Sequence, residues 1–355
     1  MCRFMVFKGR DPILLAHLLT RPAHSIINQS YDSRLRIDMR RPINGDGFGV
    51  GYYPTDPDPE FEDGPCIFCA TTPAWNNLNL ARLAEKTRSR LMFAHVRAST
   101  AGVLSETNCH PFAYHTLMFM HNGQISNFGH IKRRLIERIR DEYFLHIQGG
   151  TDSECAFALF LDCLERLGVD PARQEGRFGH ALLRQAMLET IALLREWTTD
   201  VRARDGGSAE PSLLNFAVTD GESVVATRYI TSRTEEAASL HFSSGSRFAE
   251  HEPGQYKMER KDRRSDVILV SSEPLTFERN DWVTVPTNTV LTIHDQIVLL
   301  HPIVDEYYQS DPAVSRSSNF AASRGLISPI VDDLTTATSQ VPPLEREGRR
   351  RSIAA

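Results

Sequence analysis

Cys2 stands directly after Met1, and its side chain is small enough to permit removal of that methionine. Removal would leave a thiol beside its own free amine. An α-amino group titrates at about 7.7–8.0, so near neutral pH it can take the thiol proton, directly or through one water, and turn the sulfur into a nucleophile. A cysteine that merely falls second is more often a small buried hydrophobe, so its position decides nothing alone. Other polar signatures recur along the chain: Asn44-Gly45-Asp46-Gly47-Phe48-Gly49, His95-Val96-Arg97-Ala98-Ser99-Thr100, His121-Asn122-Gly123 and Gly150-Thr151-Asp152-Ser153-Glu154. On a strand His95, Arg97 and Ser99 share one side and Val96 and Ala98 the other, so Arg97 can face a pocket. Its planar guanidinium suits two-pronged capture of a carboxylate, while a surface arginine is the plainer reading. Asn122-Gly123 also reads as a type I′ turn, and Asp152 as a helix cap.

These residues must be carried by regular elements. Cys2–Phe7 reads as a strand at the very start, followed by a short helix over Pro12–Leu19 with Leu14, Leu15, Leu18 and Leu19 on one face. Further strands are expected at Gly47–Tyr53, Cys66–Ala70, Leu91–Arg97 and Thr116–His121. Helices follow at Ile131–Ile139, Glu154–Leu167, with Asp152 or Ser153 as its cap, and about Ala181–Trp197. Strands return at Leu213–Thr219, Ser223–Ile230, Val267–Ser271, Trp282–Val285, Thr289–Ile293 and Gln296–Leu300. Strands, then helices, then strands, without βαβ alternation, predict an α+β fold of antiparallel sheets with helices on their outer faces.

The chain has 355 residues, 40 Lys+Arg against 45 Asp+Glu for a net charge of −5, and 41% hydrophobic residues. That balance argues against a surface built to wrap nucleic acid or anionic lipid. No apolar run is long enough to span a bilayer, and cysteines at 2, 66, 69, 109, 155 and 163 form no short secreted framework, which points to a reducing, cytoplasmic setting. Composition divides the chain into a domain at 2–306 and a Ser/Thr/Pro/Arg-rich tail at 307–355 expected to be disordered, in which Arg349-Arg350-Arg351-Ser352 has the form of a kinase site or simply a charged end.

Together the four signatures resemble the class II glutamine amidotransferases, which use an N-terminal cysteine and have the four-layered αββα sandwich of the Ntn hydrolases. The resemblance spans roughly residues 2 to 305 and includes Ser271-Ser272-Glu273-Pro274-Leu275. The run from Arg41 to Gly49 and the stretch Glu106-Thr107-Asn108-Cys109-His110-Pro111-Phe112 are most similar to the fungal glutathione-degrading subunits of the Dug type. It implies that Cys2 attacks a γ-glutamyl carbonyl to form a thioester, which water then hydrolyses to glutamate. Asn122 and Gly123 would form the oxyanion hole, Arg97 would hold the substrate α-carboxylate and Asp152 its α-ammonium group, and Thr100 would add a hydrogen bond. Asp46, Gly47, His95 and His121 would shape the pocket. Ala98 stands where the sugar-phosphate branch carries tryptophan, which leaves the leaving-group side open.

Glutathione would release Cys-Gly and glutamine would release ammonia. No synthase-like segment follows, so ammonia would need an acceptor elsewhere. The Dug resemblance favours glutathione hydrolysis with a second subunit of metallopeptidase-like fold. The alternatives are a glutaminase subunit serving a separate synthase and a non-catalytic γ-glutamyl-binding protein.

Cys66 and Cys69 look like half a zinc site, but residues three apart on a strand face opposite ways and no second pair accompanies them. Cys109 and His110 are adjacent, so their side chains diverge, and His110 reads as structural. The Gln148–Ser153 run is similar to a nucleotide-binding loop whose leading Ser is Gln here, yet its place before a helix suits the substrate Asp equally. No metal or cofactor is expected. Intact-mass measurement of the purified chain is expected to show Met1 absent; a retained Met1 would leave the proposed base acylated and favour the non-catalytic alternative.

Overall fold

The computed structural model describes residues 2–32, 43–58, 60, 63–98, 103–173, 177–205, 208–261, 265–311 and 314–327. The chain opens with β1 (Arg3–Leu14), the short helices α1 (Ala16–Leu19) and α2 (Ile26–Gln29), β2 (Phe48–Tyr52), β3 (Cys66–Ala70), α3 (Leu78–Ala84) and β4 (Arg88–Val96). The hairpin β5 (Phe112–Tyr114) and β6 (Leu117–Gln124) leads into α4 (Phe128–Arg138), α5 (Asp141–His146), α6 (Asp152–Arg166) and α7 (His180–Asp205). Then come β7 (Leu213–Thr219), β8 (Val224–Arg228), β9 (His241–Gly245), β10 (Arg247–Glu252), β11 (Gln255–Glu259), β12 (Val267–Ser271), β13 (Val283–Thr284), β14 (Thr289–His294), β15 (Ile297–Pro302) and α8 (Asn319–Ser323).

Among the described residues the strands form a seven-stranded sheet in the order β13-β9-β12-β1-β4-β2-β3, a six-stranded sheet in the order β15-β14-β8-β7-β6-β5, and the small ribbon β10-β11. The expected α+β architecture of antiparallel sheets is found, and the period-2 pattern of the strands builds its layers. Phe4 and Val6 of β1 and Leu91 and Phe93 of β4 meet Met118 and Met120 of β6 between the sheets. Met5, Phe7, Met92, Ala94 and Val96 point the other way, onto Leu18, Leu19, Ile26 and Leu80 of α1 to α3. Leu117 and Phe119 of β6 pack against Phe157, Phe160 and Leu164 of α6 and Leu183 and Met187 of α7. Three apolar interfaces separate four layers, helix, sheet, sheet and helix.

Some expectations need correction. The helix placed at Pro12–Leu19 begins at Ala16, because β1 runs through Pro12 after a register shift against β4 between Lys8 and Ile13. Pro lacks an N–H, and such an irregularity is where a strand accepts it. The chain also stays folded past 306. In the stretch expected to be disordered, Ala321, Leu326 and Ile327 bury against Leu213, Ile230, Ala237 and Ala238, and the Arg316 guanidinium donates to Ser232 O, Glu235 O and Tyr307 O. A few apolar residues among Ser and Arg are enough to anchor this segment, which average composition conceals. Arg349–Ser352 lies outside the described residues.

Phe4 is fully buried between the sheets, two residues from Cys2. Phe4→Ala is expected to cost about 3–5 kcal/mol of stability, read as a lowered urea midpoint at unchanged slope.

Candidate active site

β1 sits mid-sheet, paired with β12 on one edge and β4 on the other. Its first residue, Arg3, lies opposite Val96 at the end of β4, so Cys2 arrives beside Arg97 and Ala98. The Cys2 thiol is half-buried and lies 3.8 Å from Ala98 O. By the alternation that sends Phe4 and Val6 between the sheets, Cys2 faces the same space.

Asn122 and Gly123 lie inside β6, opposite Asn215 and Leu214 of β7, and not in a turn. The Asn-Gly pair that reads as a hairpin tip is held extended because both of its neighbours continue the ladder. Asn122 is buried and its Nδ2 donates to Ser272 Oγ at 2.9 Å. The same oxygen accepts the Phe4 N–H at 3.1 Å, and Ser272 N donates back to Phe4 O at 3.0 Å. Ser272 thus joins the strand that follows Cys2 to the amide expected to receive an oxyanion. An amide nitrogen carries two hydrogens, so Asn122 has a second donor beside the one given to Ser272. At Gly123 a Cβ would stand 1.9 Å from Leu213 O and 2.8 Å from His121 Nε2, so this position admits only glycine.

Arg97 is buried. Its N–H donates to Gly47 O at 2.8 Å, its carbonyl accepts the Asp46 N–H at 3.1 Å, and its Nη1 lies 3.5 Å from Asp46 O. Asp46 and Gly47 therefore hold Arg97 through the main chain. Gly47 has φ +107°, and a Cβ there would lie 2.8 Å from both Ala70 O and Cys109 Sγ. Ser99 and Thr100 lie outside the described residues, so the role expected of Thr100 has no structural account.

Asp152 opens α6, but the capping side chain is Thr151, whose hydroxyl accepts the Glu154 N–H at 3.3 Å. The Asp152 carboxylate bonds elsewhere. Its Oδ2 accepts the Ile125 N–H at 2.8 Å, just past β6, and its Oδ1 accepts the Ser153 N–H at 2.9 Å. The donors of the preceding loop are already engaged. The Glu154 carboxylate accepts the N–H groups of Gln148 at 2.8 Å and Gly149 at 2.7 Å, and Asn108 Oδ1 accepts that of Gly150 at 3.2 Å. A phosphate cradle needs those donors free, so the nucleotide reading of this loop fails. Gly123 and Asp152 together line a cavity of about 680 Å³ with Ser105, Thr107, Asn108 and Phe128.

His95 and His110 are both buried, with His95 Nε2 2.9 Å from His110 Nδ1. Burial pushes His95 down to about 3 and holds His110 well below the ordinary histidine range, so both stay neutral. His121 faces the helix layer, its Nδ1 2.9 Å from Ser153 Oγ and its Nε2 2.9 Å from Leu213 O. Burial lowers it too, against the pull of Asp152. His121 thus braces β6 from the helix side, while His95 shares the inter-sheet face of β4 with Leu91 and Phe93. Burial also pushes the Cys109 thiol to about 11 and that of Cys69 to about 12, which keeps both protonated and poor rivals to Cys2 as nucleophiles. Cys66 and Cys69 share β3 with Cys66 exposed and Cys69 half-buried.

Motif spacing assigns no role to Ser272, Glu154 or Arg3, and the structure gives each one. All three are polar residues inside or beside a recognised motif, and that adjacency is the signal the sequence offers for them.

Two facing antiparallel sheets, helices outside, and a cysteine at the tip of a central first strand define the class of hydrolases that use an N-terminal nucleophile. The family described as class II glutamine amidotransferases matches residues 18–314. Over its whole length the chain is 66% identical across 356 residues to the probable glutamine amidotransferase DUG3 of Saccharomyces cerevisiae, covering 99% of that protein. It is 29% identical over 304 residues to the γ-glutamyl-hercynylcysteine sulfoxide hydrolase of Mycolicibacterium smegmatis, covering 85% of this chain and 100% of that protein. A protein described as a glutamine aminotransferase class-II domain protein, from Silicibacter pomeroyi, shares the fold, with a TM-score of 0.53 at 24% identity over 86% of this chain and 100% of that one. The chain belongs to the class II glutamine amidotransferases.

Buried neutral histidines fix a pH dependence. For His95 the unfolded side chain titrates near 6.5 and the folded one at about 3; between those values only the unfolded state takes the proton, so stability falls as pH drops through that window. Each such group contributes a slope of up to about 1.4 kcal/mol per pH unit. Urea midpoints are expected to fall from about pH 7 to pH 5, before most carboxylates protonate; a flat profile would contradict the buried neutral trio.

Proposed function

We propose that this protein hydrolyses γ-glutamyl amide bonds through Cys2, with glutathione as substrate. What carries the reading is the convergence of Cys2, Arg97 and the Asn122–Gly123 pair at one end of the inter-sheet space, with Asp152 tied by Ile125 to the end of β6.

In this reading Met1 is removed and the amine of Cys2 takes the thiol proton. The thiolate attacks the γ-carbonyl carbon, and the carbonyl oxygen gains negative charge against the second Asn122 hydrogen and the Gly123 N–H. One such donor is worth about 3–4 kcal/mol in the transition state. Collapse of the tetrahedral intermediate breaks the C–N bond, and the amine leaves with a proton returned from the Cys2 ammonium. Water then attacks the thioester and glutamate departs. Arg97 and Asp152 read the carboxylate and ammonium of the glutamyl head and hold its far carbonyl at the sulfur.

Preference for a peptide leaving group over ammonia is part of the proposal. The name of the mycobacterial relative, a hydrolase of γ-glutamyl-hercynylcysteine sulfoxide, supports it. A second subunit of metallopeptidase-like fold and a cytosolic location belong to the proposal. Assay of glutamate release from glutathione and glutamine, with and without that subunit, is expected to show turnover of glutathione that Cys2→Ala abolishes. Release at equal rates by Cys2→Ala would end the proposal; a strong preference for glutamine would transfer it to the glutaminase alternative.

A further inference from the structure

Beside Cys2 lies a buried ion pair that the chemistry above does not use. Arg3 is 2% exposed and Glu273 fully buried, with Arg3 Nε 3.1 Å from Glu273 Oε2. Arg3 alternates with Phe4 and so points to the helix layer, away from the space where a substrate would meet the thiol. Its other nitrogens reach main-chain carbonyls: Nη1 donates to Cys2 O at 3.1 Å and Nη2 to Gly325 O at 3.0 Å. Glu273 is itself held, since His24 Nε2 lies 3.1 Å from its Oε1 and Gln29 Nε2 donates to Glu273 O at 3.3 Å. Gly325 is anchored by Arg324, whose guanidinium donates to Gln124 Oε1 at 3.1 Å, and by Leu326, whose carbonyl accepts the Ser239 N–H at 2.7 Å.

We propose that Arg3 is a positioning residue for Cys2 and that the segment around α8, through Gly325, is part of the catalytic assembly. The proposal rests on Cys2 being the nucleophile. Cys2 precedes the first residue of β1, where the sheet ladder no longer restrains the chain. A guanidinium holds its donors in one rigid plane, so fixing Nε on Glu273 and Nη2 on Gly325 fixes where Nη1 holds the Cys2 carbonyl. That carbonyl shares its residue with both the sulfur and the amine that must deprotonate it. A buried pair of this kind adds little net stability over apolar residues of similar size, so its distinctive contribution here is placement.

The test uses the full chain with the double substitution Arg3→Met and Glu273→Met, and separately Arg3→Lys, which keeps the charge but not the fork. The readouts are kcat and KM on the γ-glutamyl substrate and the rate at which iodoacetamide modifies Cys2, followed on the N-terminal peptide. The folded double variant is expected to lose on the order of 10²-fold in kcat with KM nearly unchanged and to alkylate more slowly; Arg3→Lys should fall between. A folded double variant with natural kcat and natural alkylation rate overturns the proposal. If the double variant does not fold, Arg3→Lys decides by the same measures. If the natural chain cleaves no γ-glutamyl substrate, the proposed function fails, and the alkylation rates alone decide whether Arg3 positions Cys2.

Discussion

The Ser272 hydroxyl oxygen, which accepts one hydrogen bond from the Phe4 main chain and another from the Asn122 side chain, is the contact on which the site depends. The two partners belong to different sheets, and the apolar layer between those sheets has no direction of its own. Phe4, Val6, Phe93, Met118 and Met120 press the sheets together but do not set their lateral offset. A hydrogen bond does, because it weakens steeply with misalignment. Sulfur on one sheet and amide on the other are thereby held in a fixed relation before any substrate arrives.

Around that tie the polar groups divide by layer. Arg97 and Asp46 reinforce one another through the main chain, leaving the guanidinium shaped by its strand rather than by chance packing. His95, His110 and His121 are sunk deep enough to stay neutral, so they support the walls without adding charge that would compete with Arg97 for an anionic substrate. Glu154 and Asn108 quench the N–H groups of the glycine-rich loop. A loop that would otherwise attract phosphate instead becomes a rigid approach to Asp152.

The sequence shows most of this where a pattern is local. Period-2 alternation in Cys2–Phe7 and Leu91–Arg97 locates the strands that end at the site. It misleads where a local signal is overruled by distant pairing. Asn122-Gly123 has turn chemistry, but β7 captures it as strand. Pro12 looks like a helix start, yet β4 still pairs with the chain at Ile13 and Leu14. Thr151, not Asp152, caps α6 because Asp152 is bonded to Ile125 across space. The strands β9 to β11 are not among those expected from the sequence, although β11 alternates, and the links Arg3–Glu273 and Asn122–Ser272 join residues 270 and 150 positions apart, a separation at which spacing holds no information.

Phe4 and Ser272 are 268 residues apart, and that distance orders the life of the protein. Synthesis delivers Cys2 first, β4 and β6 by Gln124, and Ser272 only after β12, so through much of translation the tie between the two sheets is missing. Non-local pairing of this kind is slow to form. The strand that carries Cys2 and the amide of Asn122 therefore reach their fixed relation only when folding closes the loop between Phe4 and Ser272.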